Sequence, residues 1–367
     1  MSLRRFLNAV TLNSERRIYS LRRMDMARQH LFYPATPAEQ EKLSLQNMER
    51  IQIPPPSVSF LPNPSAFNDI SKMHSLGLSE NKIIWIDQSG LSVLYDAGLD
   101  TSVVMPSLHT PKWRPVAFSI PDPDEQEDSG GKLYIMEKSL KPPPEKGQFE
   151  AFVYTKPDVL DFEKSWCHQL LPLPPFVLEP GFKGTWICSQ AILGSGSHLC
   201  MSFRGIGTYC FDTATREWSH AGDWILPLYG KAEYLPEFKL WFGFGEDRLP
   251  VVSDLSTALN CEKPGLCALS GYDYCPPDWN PIGEPQFPQI VSLGSGRLCI
   301  LDYYQTMVKG AYGWDGEPVV DEELAVFTGV ELLDCGDGSG KGTGFRMMNH
   351  KSGIYMSDDT AIIEALL

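Results

Sequence analysis

His198-Leu199-Cys200-Met201-Ser202-Phe203, a turn, Gly207-Thr208-Tyr209-Cys210-Phe211-Asp212, a second turn, and Trp218 through Trp224-Ile225-Leu226-Pro227 read as three consecutive short strands. Each run is rich in aromatic and small apolar residues and is bounded by Gly, Asp-Thr or Pro, the punctuation that separates strands. A fourth apolar run, Ile187–Gly194, precedes them, so the repeating unit is four strands ending in a proline stop. Two more copies are legible upstream. One is Ser71–Leu78, Lys82–Asp87, Leu91–Asp96 and Val103–Pro106; the other is Pro115–Pro121, Lys132–Met136, Phe149–Tyr154 and Trp166–Pro172. Tyr95, Tyr154 and Phe211 hold the same place in the three copies, about 58 residues apart. Self-similarity at such a period is the signature of a radial repeat fold.

Fainter copies follow, on Ala232–Gly245 with Val251–Leu255 and on Ile290–Tyr304 with Leu324–Leu333. At the ends, Phe345–His350 and Gly353–Met356 make half a unit, and Arg5–Val10 with Arg17–Arg22 make another half. Joining them closes the ring and removes two sheet edges that would otherwise template aggregation. The expected fold is all-β: a β-propeller over residues 1–367, with six four-stranded blades and N- and C-terminal strands sharing one blade. An excursion over 26–57 is expected to hold a short helix around Ala38–Leu45, and 257–287 and 305–322 are expected to be long loops.

A net charge of −15 repels phosphates and anionic headgroups, which argues against nucleic acid and membrane as partners. Arginines 4, 5, 16, 17, 22, 23 and 28 crowd the first thirty residues. Because Arg17-Ile18-Tyr19-Ser20-Leu21 alternates with a strand's period, they are expected on solvent faces of strands in preference to a transit peptide or docking patch. Nine cysteines without a C-x-x-C give no disulfide or zinc framework, and no secretory or membrane-spanning apolar run is present. The expected location is cytoplasmic or nuclear.

The phrase Tyr209-Cys210-Phe211-Asp212-Thr213-Ala214-Thr215-Arg216-Glu217-Trp218 resembles the third and fourth strands of a kelch-type blade, with an aromatic-Asp before a turn and a tryptophan. The whole chain resembles an uncharacterised kelch-like family of grasses. The matching residues are Arg4–Asn8, Tyr19–Asp25, Leu31–Pro34, Phe149–Tyr154, Leu240–Phe244 and Met348–Ser352. The resemblance implies the propeller and a plant source, and transfers no catalytic residue. Many plant kelch proteins are ubiquitin-ligase receptors through an N-terminal F-box; here strand-like residues begin by Phe6, which leaves no room for one.

Motifs for chemistry fail one by one. The run Gly336–Gly344 invites a phosphate-loop reading, but Lys341 is followed by Gly342, not Ser or Thr, so the Mg²⁺ hydroxyl is missing. The acidic cluster Asp122, Asp124, Glu125, Glu127 and Asp128 lacks the order of a calcium loop. Seven histidines form no i,i+4 pair and no H-E-x-x-H, and no G-x-S-x-G elbow occurs. Ser195 and Ser295, each between glycines, read as turn residues. No cofactor, metal or catalytic residue is expected.

In a four-stranded blade the loops joining strands two to three, and blade to blade, emerge on one face. The long insertions 139–148, 176–185, 256–284 and 305–322 fall there, so that face is the expected binding surface. Around it Lys112, Trp113, Arg114, Arg204, Lys231, Trp279 and Trp314 are the expected anchors, since Trp and Arg bury much area and keep a polar handle. Trp113 and Trp186 equally suit packing between blades. The expected function is a non-enzymatic scaffold binding a protein or peptide. The alternatives are a small-molecule or glycan-binding propeller, possibly enzymatic, and a ubiquitin-ligase receptor acting through a separate adaptor.

Overall fold

In the computed structural model, the described residues are 3–29, 31–32, 48–63, 72–121, 131–142, 146–155, 164–269, 279–282, 287–314, 316–334, 344–356 and 361–367. The helix expected over Ala38–Leu45, the acidic run at 122–128 and residues 336–343 of the glycine-rich run lie outside them. Regular structure is almost wholly strand, in five hydrogen-bonded sheets.

The repeats deciphered above are four-stranded antiparallel meanders. Met73–Gly77, Lys82–Asp87, Ser92–Asp96 and Thr101–Met105 form one sheet, and Pro115–Pro121, Gly131–Glu137, Phe149–Thr155 and Ser165–Leu170 form another. A nine-stranded sheet contains two such meanders, Thr185–Gly222 and Tyr229–Ala268, joined where Ser189 and Gln190 pair in parallel with Gly230 and Lys231. The sheet over 289–356 is built on Gln289–Gly294, Arg297–Tyr312, Pro318–Asp334 and Phe345–Met356.

The last sheet joins the chain ends. Ala361–Leu366 pairs with Phe6–Asn13, which pairs with Ile18–Asp25 and then Val58–Phe60. Terminal strands therefore share one sheet, but one C-terminal strand meets three N-terminal ones. The expected two-plus-two split is corrected: Phe345–Met356 is a single strand of the preceding sheet, between Pro318–Asp334 and the short parallel strand Glu49–Arg50. Gly353 makes room within that strand, because a Cβ there would lie 2.4 Å from Ile51 Cγ1.

First strands of successive meanders lie side by side around the ring. Tyr229–Leu235 abuts Gln289–Gly294, which abuts Ala361–Leu366, while Met73–Gly77 abuts Pro115–Pro121. Leu367 touches Gly77, and Ile120 touches the Gly194–Gly196 turn, completing the circuit. This closed ring of sheets is a β-propeller. The last strands, such as Thr101–Met105, are the most exposed, as the rim of such a ring requires.

The recurring Asp after an aromatic has a local cause. Asp96 Oδ1 accepts the N–H groups of Gly98 and Leu99 at 2.9 and 3.0 Å, and Asp212 Oδ1 accepts those of Ala214 and Thr215 at 2.7 and 2.9 Å. Each carboxylate thus closes the turn into the fourth strand. Ser295 and Gly296 both have positive φ, 54° and 74°, and form the two-residue hairpin turn that matches strand twist. The core lies between sheets: Phe118, Tyr134 and Phe149 of one meander pack with Phe203, Phe211 and Trp218 of the next. Trp218 also donates to Pro172 O at 2.8 Å across that boundary.

The N-terminal arginines do more than face solvent. Arg22 donates to Pro54 O at 2.8 Å, and Arg23 reaches the neighbouring meander, donating to Ala97 O at 2.9 Å and Asn81 Oδ1 at 2.6 Å. Arg23 thus ties two sheets together, while Arg5 and Arg28 pair with Asp25 of their own sheet.

The C-terminal strand buries Ile363 and Leu366 almost completely. At ~1.5–3 kcal/mol per buried aliphatic side chain, and ~2–4 °C per kcal/mol for a domain of this size, deleting residues 361–367 should lower Tm by about 10 °C or more. Scanning calorimetry of the truncated chain checks this; an unchanged Tm contradicts the closure.

Candidate interaction face

Antiparallel order places the described residues of the connections 106–114, 138–142, 146–148, 171–184, 204–206, 223–228, 245–249, 313–314 and 316–317 on one face. The best-braced of these is 106–114. Glu150 sits in the Phe149–Thr155 strand, is wholly buried, and turns both carboxylate oxygens toward this connection. It accepts His109 N–H at 2.7 Å and Thr110 N–H at 3.1 Å, together with the Lys112 ammonium and His168 Nε2. Lys112 also donates to Thr110 O at 2.5 Å. Burial works against the Glu150 anion, but its donors, Lys112 foremost, outweigh that and hold its carboxyl below the ordinary glutamate range. Next to it, Glu137 accepts Trp113 N–H at 2.7 Å and Arg114 N–H at 3.2 Å. His74 Nε2 meets Lys112 O at 3.1 Å; burial, helped by Lys72, pushes its pKa down to about 4, so it is neutral and donates this bond.

Two carboxylates therefore hold the backbone that carries Trp113, which is 55% exposed, and the exposed Arg114. Lys112 itself is not at the surface: it is 4% exposed and serves the brace. Trp186 is 44% exposed, so neither it nor Trp113 is sealed between sheets. Arg204 pairs with Glu246 at 2.7 Å across two meanders. Lys231 lies on a first strand and pairs with Glu233 at 2.5 Å. The stretch 257–287, expected as one long loop on this face, is corrected: Leu255–Asn260 is a turn from third to fourth strand on the opposite face, Cys267–Ala268 is that fourth strand, and Trp279–Pro281 is a short strand in which Trp279 packs on Tyr304, ring centres 5.7 Å apart.

Trp314 marks a feature the sequence reading misplaced. Residues 305–322, expected as a loop, continue the strands Arg297–Tyr312 and Pro318–Asp334 into a projecting hairpin, with Met307 opposite Val320 and Tyr312 opposite Pro318. Trp314 at its tip is 100% exposed, and Val308, Tyr312, Val319 and Val320 are 38–69% exposed. Its root is fixed by an ion pair: half-buried Arg248 grips buried Asp302, which also accepts Tyr304 O–H at 3.0 Å, and Arg248 donates to Ile282 O at 2.6 Å. Beside the root lies a shallow, open depression lined by Ile282, Tyr303, Glu323, Leu324, Ala325, Tyr355, Ile362 and Ile363.

Sequence reasoning missed Glu150, His168 and His74, and also the apolar arm residues. A lone carboxylate inside Phe149-Glu150-Ala151-Phe152 was the available signal, since a charge at an inward strand position demands partners. Among the described residues no group of three His, Cys, Asp or Glu side chains is placed to hold a metal ion. Among them also, no helix is long and apolar enough to cross a membrane.

The fold and face define a β-propeller that presents braced loops and a projecting hairpin on one side. The chain belongs to the family described as protein of unknown function (DUF1668), whose match spans residues 4–355. No curated protein matches it. Among solved structures it is similar to a protein of unknown function from Bacteroides thetaiotaomicron, at 11% identity and TM-score 0.36, covering 67% of this chain and 56% of that one. The chain thus spans little more than half the length of that protein. It is also similar to the β-propeller domain of Cps50 (Swd1) from Myceliophteria thermophila, at 12% identity and TM-score 0.28, covering 71% of this chain and 96% of that one.

Proposed function

We propose that this chain is a non-enzymatic interaction scaffold, a six-bladed kelch-like propeller of plant origin working in the cytoplasm or nucleus, that binds a protein or peptide through its long-loop face. The observation carrying the proposal is the hairpin over 305–322, a two-stranded ribbon that leaves the ring with Trp314 fully exposed and four more apolar side chains at its surface. Two-stranded ribbons are marginal alone in water, and exposed aromatic anchors are the residues interfaces use. Trp113 and Arg114 on the braced connection offer a second contact on the same face.

Shortening the arm, by replacing residues 308–319 with Gly-Gly, removes no buried side chain among the described residues and should leave Tm within a few degrees. A partner recovered stoichiometrically with the tagged full chain should be lost from the shortened chain, and weakened by Trp113→Ala with Arg114→Ala. A partner retained equally by both variants would sink the proposal.

A further inference from the structure

We infer that the root of the arm receives an extended basic peptide, with one apolar side chain of the peptide in the depression beside Ala325 and its Lys or Arg residues against Asp321, Glu322 and Glu323. The inference rests on the interaction reading above and names the chemistry of the partner.

Size comes first. The depression is shallow and open to solvent, far too small for a drug-sized ligand, and offers a seat for at most one side chain. Its walls are apolar, from Ile282, Leu324, Ala325, Ile362 and Ile363, with the rings of Tyr303 and Tyr355. Glu323 is the one ionisable carboxylate in that lining.

Charge decides the rest. A group that closes over the lip strips water from Glu323, and a carboxylate desolvated without a partner is costly, so the residue beside the apolar anchor must be cationic. The sequence from 305 to 324 carries one base, Lys309, against five acids, Asp315, Glu317, Asp321, Glu322 and Glu323. Asp321, Glu322 and Glu323 are all exposed and follow one another along the arm strand into the root. The chain as a whole, at −15, steers the same sign of partner toward them.

Geometry favours an extended segment. Leu324 is paired on both sides, to Tyr304 and to Met356, whereas residues 318–323 have a strand neighbour on one side only among the described residues. A strand-like peptide laid along that stretch repeats its side-chain direction about every 7 Å. One apolar residue in the depression then places basic residues at the acidic run.

The test uses the full chain and fluorescein-labelled twelve-residue peptides with a central Lys-Arg-X-Lys-Arg in a Gly/Ser host, X being Leu or Ser, read by anisotropy at 50 mM salt. The Leu peptide should bind at least tenfold tighter than the Ser peptide. Glu323→Lys, at an exposed position, should weaken it at least tenfold at unchanged Tm. Equal binding of the two peptides, which is charge attraction without a pocket, overturns the inference, as does indifference to Glu323→Lys. A native partner lost on shortening the arm, alongside such a peptide failure, would overturn this inference alone and leave the scaffold reading standing.

Discussion

Replacing Glu150 with alanine is expected to destabilise the chain by about 3–5 kcal/mol, the range for breaking a buried ion pair from one side. The side chain is wholly buried, and its loss strands the Lys112 ammonium, whose side chain is 1% exposed. It also strands the N–H groups of His109 and Thr110 and leaves His168 without its acceptor. Lys112→Met costs less, because Glu150 keeps three of its four donors. The double replacement Lys112→Met/Glu150→Ala should fall well short of the two single losses added together, since neither charge then remains buried. Urea titration of the four proteins measures this as a shift in midpoint at constant slope. A loss under ~1 kcal/mol for Glu150→Ala would mean the network is not a brace.

The second large effect is on acid stability. His74 has a folded pKa of about 4, while an unfolded histidine titrates near ~6.5. A depressed folded pKa contributes stability that is fully present above the unfolded value and is lost as pH falls through the folded one. The unfolded chain takes up the proton first, so stability should drop between pH 6.5 and 4, by up to about 3 kcal/mol. Glu150, also depressed, adds its own loss only below the ordinary glutamate range, so the two windows are sequential. His74→Gln keeps a donor for Lys112 O and cannot titrate; between pH 7 and 4.5 it should lose about 2.5 kcal/mol less than the wild type, the loss from His350, also depressed by burial, being common to both. Parallel pH profiles for the two proteins would contradict the assignment.

Sequence and structure agree where local chemistry decides. Apolar runs stopped by Gly and Pro are the strands, and the Asp following Tyr95 and Phe211 closes the turns, because these are properties of a few adjacent residues. They part where distant residues decide. Ala361-Ile362-Ile363-Glu364-Ala365-Leu366 is made of good helix formers, and only the open edge of Phe6–Asn13 makes it a strand. Gly310, Gly313 and Gly316 punctuate the arm like a loop, yet cross-strand pairing carries the hairpin past the first of them to Tyr312. Lys112 looked like a rim anchor because a lysine between a proline and a tryptophan gives no sign of the carboxylate waiting thirty-eight residues later. Trp113 and Arg114 do reach the surface, but their presentation depends on Glu137 and Glu150, which no local pattern connects to them.

Binding through the arm is the central claim, and site-specific photocrosslinking tests it most directly. A benzophenone amino acid at position 314, on the arm tip, is compared with one at position 259, on the turn Leu255–Asn260, which joins third to fourth strand on the opposite face. Leu259 is 38% exposed, so both probes reach solvent. The account predicts one discrete crosslinked species from position 314 on irradiation in extract, absent from position 259 and abolished when the arm is shortened in a chain labelled at position 113. Crosslinks from 259 with none from 314 would contradict it and move the interface to the other side of the ring.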